Sequence, residues 1–89
     1  MRAVQMITPG KPDVLQSADV AEPAIDSPSQ VKVRLMAAGV NPIDTKLRSR
    51  GLFFDDALPA VLGCDGAGIV TAVGDAVTRF RTGEAVWFL

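Results

Sequence analysis

Two short segments of this chain are the most informative about its chemistry: residues 39–44, Gly-Val-Asn-Pro-Ile-Asp, and residues 63–68, Gly-Cys-Asp-Gly-Ala-Gly. The 89-residue sequence contains no histidine and one cysteine, Cys64. Within these residues, that composition excludes Ser-His-Asp and Cys-His nucleophile pairs, acid–base catalysis by histidine, and zinc sites that use histidine. An amide, carboxylates and a single thiol remain, and the thiol could in principle bind a metal ion.

The glycines of the second segment have the spacing G-x-x-G-x-G, which is the reverse of the dinucleotide-binding fingerprint. A phosphate-binding loop needs a strand before it and a helix N-terminus after it. Here β-prone residues 69–73, Ile-Val-Thr-Ala-Val, follow instead. The pattern therefore predicts the glycine-rich start of a strand, where missing side chains let another backbone or a ligand come close.

The first segment predicts a helix of about two turns. Asn41 suits the N-cap, because its side-chain oxygen can accept a backbone N–H, and Pro42 suits the first helical position, where no donor is needed. Asp44 falls in the first turn, beside the positive end of the helix dipole. Gly51 can take the left-handed conformation that ends the helix.

The rest of the chain predicts short strands separated by turns. Val31, Val33 and Leu35 alternate with Lys32 and Arg34, which indicates a half-buried strand whose charged side chains face water. Further strands are predicted at residues 2–7, 14–21, 67–73 and 85–89. The predicted fold class is mainly β, a small barrel or sandwich with one or two short helices.

Composition limits the possible functions. The 48% hydrophobic and 21% charged residues are typical of one soluble globular domain. A net charge of −1 disfavours nucleic-acid binding through a basic surface. No apolar run reaches the roughly 18 residues that cross a bilayer, no secretion signal is present, and one cysteine cannot form an internal disulfide, so we expect no membrane partner and a cytoplasmic location.

The final residues, 85–89, are all apolar. Because an apolar strand normally pairs or continues to a turn, we expect the 89 residues to be an N-terminal fragment of a longer protein. The alternative is a chain that ends naturally in its last strand.

Taken together, residues 39–44, residues 58–70 (Leu-Pro-Ala-Val-Leu-Gly-Cys-Asp-Gly-Ala-Gly-Ile-Val) and residues 73–86 (Val-Gly-Asp-Ala-Val-Thr-Arg-Phe-Arg-Thr-Gly-Glu-Ala-Val) resemble the N-terminal GroES-like domain of the medium-chain dehydrogenase/reductase superfamily. The similarity is greatest to the quinone oxidoreductase branch, which includes zeta-crystallin, and it covers residues 1–89. It implies a GroES-like, partly open β-barrel catalytic domain. It also implies a Rossmann domain, not present in this chain, that binds most of an NADPH or NADH cofactor.

The resemblance further implies a homodimer when the protein is full length, and hydride transfer to a quinone or an α,β-unsaturated carbonyl. The fragment alone is predicted to be inactive. In zinc alcohol dehydrogenases of this superfamily a cysteine stands at the position of Asn41, a His-Glu pair at Cys64 and Asp65, and a proton-relaying Ser or Thr at Ile43. An amide is a poor substitute for thiolate, so we expect no zinc, with metal binding through Cys64 as the alternative.

The resemblance also suggests a role for each candidate site residue. It assigns catalysis to Asn41 and Asp44, and cofactor contacts to Asn41 and Pro42. The residues that it places in the substrate pocket are Lys46, Phe53, Cys64 and Asp65.

Each assignment has a structural alternative. Asn41 could be only a helix cap, and Asp44 only a first-turn acid that stabilises the dipole. Phe53 and Phe54 could be core residues, and Cys64 a small buried one.

Three hypotheses from different functional classes follow. The first is the N-terminal part of a zinc-independent reductase, with a zinc-containing alcohol dehydrogenase-like relative as its variant. The second is a cofactor-binding relative without turnover, in a structural or nucleic-acid-related role. The third is a free-standing small β-barrel interaction module.

Overall fold

The computed structural model describes residues 1–53 and 57–89, and Phe54 lies outside these ranges. The described residues are mainly β, with one α-helix, which confirms the predicted fold class. They form two compact units. The first unit contains Met1–Ala21 and Val40–Gly63, and the second contains Glu22–Gly39 and Cys64–Leu89. Within the described ranges, no helix combines the length and the apolar composition that a membrane span requires.

The first unit begins with an antiparallel hairpin of β1 (Arg2–Met6) and β2 (Leu15–Asp19). Pairing runs from Arg2 opposite Asp19 to Met6 opposite Leu15. A short 3-10 helix, Pro12–Val14, connects the strands. It is the reason why the second strand starts one residue later than the predicted 14–21, since the fixed φ of proline favours a helical first turn.

Two contacts hold the ends of this hairpin within the first unit, one at Met6 and one between Gly10 and Arg48, a residue of the α-helix Pro42–Arg50. Met6 is fully buried, and its backbone exchanges two hydrogen bonds with Ala60, at 2.7 and 3.0 Å. Gly10 also makes two hydrogen bonds with Arg48: its N–H donates to the Arg48 carbonyl at 2.8 Å, and its own carbonyl accepts from the Arg48 guanidinium. The Gly10–Arg48 bonds hold the connection between β1 and β2 against this α-helix.

The helix, α1 (Pro42–Arg50), has the bounds that its terminal residues predict. Asn41 is the N-cap in extended conformation, and Pro42 is the first helical residue. Gly51 ends the helix with φ 113°, a value that L side chains rarely adopt, and its N–H donates to the Leu47 carbonyl at 3.0 Å.

The second unit contains a three-stranded antiparallel sheet in the order β3 (Val31–Ala38), β4 (Gly66–Val73) and β5 (Ala85–Phe88). Val70, in the central strand, is its fully buried apolar side chain among the described residues. The β4–β5 connection is closed by the Gly83 N–H, which donates to the Val70 carbonyl at 2.8 Å.

The predicted alternation of buried and exposed residues along β3 is wrong in part. Val31, Lys32 and Val33 are all half-buried, whereas Leu35 is 52% exposed. Leu35 nevertheless keeps the face of Val31 and Val33, because all three line one apolar cleft and the pairing with β4 is regular from Val33 to Leu35. Its exposure therefore reflects the openness of this face and not a change in the two-residue period. The half-buried Lys32 ammonium pairs with the Glu22 carboxylate at 3.2 Å.

Candidate active site

The N-terminus of α1 builds the first part of the candidate site. The Asn41 N–H donates to Asp44 Oδ2 at 2.8 Å, and the Asp44 N–H donates to the Asn41 carbonyl oxygen at 3.0 Å. Asn41 and Asp44 occupy the N-cap and N3 positions of a capping box, in which the side chain of each residue accepts a hydrogen bond from the backbone N–H of the other. The two residues assigned to catalysis therefore lie in direct contact. Asn41 is half-buried, so part of its surface is exposed to solvent.

Asp44 is the one buried residue of the helix, with 8% of its surface exposed. Its Oδ2 holds the Asn41 backbone, while its Oδ1 is buried and has no hydrogen-bond partner among the described residues. A buried carboxylate oxygen is tolerated at a helix N-terminus because the N-terminal N–H groups carry partial positive charge. The capping bond supports the structural interpretation of Asp44, and its assignment to catalysis stays a prediction.

We expect Asp44→Ala to lower the free energy of unfolding by about 1–2 kcal/mol, because the half-buried Asn41 N–H loses its acceptor. Asp44→Asn keeps an oxygen of the same size in the same place, so its loss is expected to be smaller. Urea denaturation of the two variants beside the parent protein measures both values. Equal losses for the alanine and asparagine substitutions would show that the capping bond does not stabilise this helix.

The remaining first-unit candidates, Pro42, Lys46 and Phe53, are exposed. Lys46 lies in the middle of α1. Phe53 follows the end of the helix with 82% of its surface accessible, so the interpretation of Phe53 as a core residue is wrong. An exposed aromatic ring is available to contact a ligand, and the pocket assignment of Phe53 stays a prediction.

Cys64 and Asp65 belong to the second unit, directly before β4. Cys64 is exposed, so the interpretation of this residue as a small buried one is wrong. Asp65 is half-buried, and its carbonyl oxygen accepts the Gly39 N–H at 3.3 Å. This bond extends the β3–β4 ladder by one pair beyond Ala38 opposite Gly66.

The glycines after Asp65 serve the sheet. A β-carbon at Gly66 would lie 2.8 Å from Leu35 Cδ2 and 3.0 Å from Phe88 Cζ. At Gly68 it would lie 2.8 Å from the Arg34 carbonyl carbon and 3.0 Å from Leu35 Cα. Both glycines therefore allow close strand packing, in agreement with the predicted glycine-rich strand start.

Gly39 begins the first of the two segments, but the sequence analysis assigned it no role of its own. A β-carbon at this position would lie 2.7 Å from Asp65 Cγ, 3.0 Å from Asp65 Oδ2, and closer still to Asp65 Oδ1. The carboxylate of a candidate pocket residue thus lies directly against the Gly39 backbone. A glycine at the end of a strand was the available signal, but its partner is distant in sequence.

A family model for the alcohol dehydrogenase GroES-like domain matches residues 27–89. The chain belongs to this family. The resemblance seen in the sequence is confirmed by curated relatives, for example the quinone oxidoreductase of Pseudomonas aeruginosa, which is 46% identical over 85 residues. That match covers 96% of this chain and 26% of the relative.

Solved structures of the family agree with this assignment. The quinone oxidoreductase of Escherichia coli, crystallised with NADPH, is 36% identical with a TM-score of 0.86, and the match covers 98% of this chain and 26% of that one. An NAD-dependent alcohol dehydrogenase is 44% identical with a TM-score of 0.88, over 98% of this chain and 25% of that one. This GroES-like chain therefore spans about a quarter of the length of the relatives that it matches.

Among residues 1–53 and 57–89, no group of three or more His, Cys, Asp or Glu side chains could hold a metal ion. The expectation of a zinc-free enzyme stays a prediction.

The second unit contains an apolar cleft of about 460 Å³, beside Val33, Val86 and Trp87. None of the residues that line this cleft is one of the predicted site residues.

Proposed function

We propose that this chain is the N-terminal part of the catalytic domain of an NAD(P)H-dependent oxidoreductase, which transfers hydride to a quinone or an α,β-unsaturated carbonyl without zinc. The observation that carries the proposal is the similarity to quinone oxidoreductases along nearly the whole chain. The substitution pattern adds support, because Asn41 and Cys64 stand where the zinc dehydrogenases of the superfamily, by resemblance, carry zinc ligands.

Asn41 is the central residue of the proposed mechanism. Its amide has two donor hydrogens and an acceptor oxygen, so it can keep a structural bond and still donate to a ligand. A half-buried donor at the positive end of a helix suits an oxygen on which negative charge develops during reduction. In this proposal Asp44 acts through Asn41, whose backbone it holds.

The reduced nicotinamide, bound mainly by a Rossmann domain outside this chain, supplies the hydride. We assign its contacts with this chain to Asn41 and Pro42. A conjugated acceptor delocalises the incoming charge itself, so the protein needs mainly to position it and to donate hydrogen bonds. The wall of the substrate pocket is assigned to Lys46, Phe53, Cys64 and Asp65.

Alcohol oxidation is the second candidate, and the similarity to an NAD-dependent alcohol dehydrogenase favours it. The two reactions are distinguished by assays of the complete protein. NADPH and NADH are offered anaerobically with 1,4-benzoquinone or 2-cyclohexenone, and NAD⁺ or NADP⁺ is offered with ethanol.

We expect oxidation of the reduced cofactor by the quinone or the enone, and no reduction of NAD⁺ or NADP⁺ by ethanol. Turnover of ethanol alone would favour the alcohol dehydrogenase. Tight NADPH binding without turnover of any acceptor would favour the non-catalytic relative.

A further inference from the structure

Gly39 and Asp65 form the last hydrogen-bonded pair at the open end of the β3–β4 ladder. The Gly39 N–H donates to the Asp65 carbonyl, and the Asp65 carboxylate lies across the α-carbon of residue 39. A β-carbon there would lie within 3.0 Å of Cγ and both oxygens of this carboxylate. Non-bonded carbon atoms prefer separations of about 3.5–4.0 Å, so no side chain fits at residue 39 while Asp65 keeps its rotamer.

We propose that Gly39 is a positioning residue: the space left by its missing side chain allows the Asp65 carboxylate to take the rotamer that the substrate pocket requires. The inference rests on the proposed function, in which Asp65 lines the substrate pocket. It adds a second determinant to that pocket, one that makes no contact with substrate itself.

The atoms that would block a side chain at Gly39 distinguish it from the structural glycines. At Gly68 the blocking atoms belong to the backbone of β3, which cannot move without breaking the sheet. At Gly39 the three nearest atoms all belong to the end of one side chain. An added methyl group is therefore expected to rotate Asp65 rather than to unfold the strand pair, so the effect falls on the position of the carboxylate.

The test is a double-mutant cycle on the complete protein, with NADPH and either 1,4-benzoquinone or 2-cyclohexenone. Gly39→Ala is expected to lower kcat/KM by about tenfold or more, since displacing a group by 1 Å can cost about a hundredfold. Asp65→Ala removes all three blocking atoms. Adding Gly39→Ala to Asp65→Ala is expected to change kcat/KM by less than about twofold, as expected when one residue acts only through the other.

Two control variants separate size from charge and position from stability. Asp65→Asn has the same shape as aspartate, so it should not relieve the effect of Gly39→Ala. The β-carbon of Gly83→Ala would meet no atom within 4 Å, so this variant should leave kcat/KM unchanged. The φ of 97° at residue 83 is unfavourable for alanine, so the melting temperature should fall. An equal loss from Gly39→Ala in the parent protein and in the Asp65→Ala variant would overturn the proposal, as would unchanged kinetics in every Gly39 and Asp65 variant of an active enzyme.

A crystal structure of the Gly39→Ala variant of the complete protein gives a readout that does not depend on activity. We expect Asp65 in a different χ1 rotamer and an unmoved backbone at residues 37–40. An unchanged Asp65 with a shifted backbone would refute the positioning role. If the parent protein reduces no acceptor, the proposed function fails, and this structure alone decides whether Gly39 positions Asp65.

Discussion

Asn41→Asp is expected to lower the kcat of the complete protein by about 100- to 1,000-fold while keeping an N-cap side chain on α1. Aspartate and asparagine cap helices about equally well, because both offer a side-chain oxygen at the same distance from the backbone. Aspartate cannot donate a hydrogen bond when ionised. Removal of one positioned donor to a developing oxyanion typically costs about that factor in kcat.

Two further variants complete the measurement. Asn41→Ser is neutral, caps helices well and keeps a shorter donor, so it controls for the negative charge that aspartate adds beside Asp44. We expect its kcat to fall less than that of Asn41→Asp. Asn41→Ala removes both the cap and the donor, so it should lose stability as well as kcat. If Asn41→Asp keeps the parent kcat, Asn41 serves only as a helix cap, and the proposed mechanism loses its central donor.

Gly68→Ala is expected to destabilise the protein by about 3 kcal/mol or more, at the upper end of the usual cost of overpacking. Gly68 is buried in β4, and its β-carbon would approach the Arg34 carbonyl group and Leu35 Cα, both part of the backbone of β3. Strand separation is the remaining way to relieve this clash. The loss should appear in urea denaturation and in faster hydrogen exchange of the β3 and β4 amides.

Gly83→Ala is the matched control for Gly68. Its β-carbon would meet no atom within 4 Å, but its φ of 97° is unfavourable for alanine. We expect a cost of about 1–2 kcal/mol from the backbone conformation alone. A loss at Gly68 no larger than the loss at Gly83 would mean that β3 and β4 separate easily at this point.

Local chemistry was sufficient to predict the helix from the sequence. Asn41, Pro42 and Gly51 each act on the backbone within one turn, and α1 begins and ends where they predict. The strands were also placed to within one or two residues in most cases, because turn residues interrupt the apolar runs. The family could be recognised for a related reason, since its motifs are contiguous in the chain.

The features that sequence reasoning missed depend on residues distant in the chain. The alternation in β3 correctly places Leu35 on the face of Val31 and Val33, but how far that face is covered depends on other segments, so the exposure of Leu35 could not be predicted from β3 alone. The burial of Asp44 was not apparent from its first-turn position, which predicts only an interaction with the helix dipole. The approach of Asp65 to Gly39 joins two motifs that are separated by the whole of α1.

Deuterium transfer from nicotinamide-C4-deuterated NADPH or NADH to 2-cyclohexenone is the most direct test of zinc-independent hydride transfer. The complete protein is first dialysed against a chelator, its zinc content is measured, and the product is examined by mass spectrometry and NMR. We predict one deuterium at the β-carbon of cyclohexanone, at an undiminished rate and with far less than one zinc per chain. Loss of transfer after chelation, with recovery when zinc is added back, would contradict this mechanism.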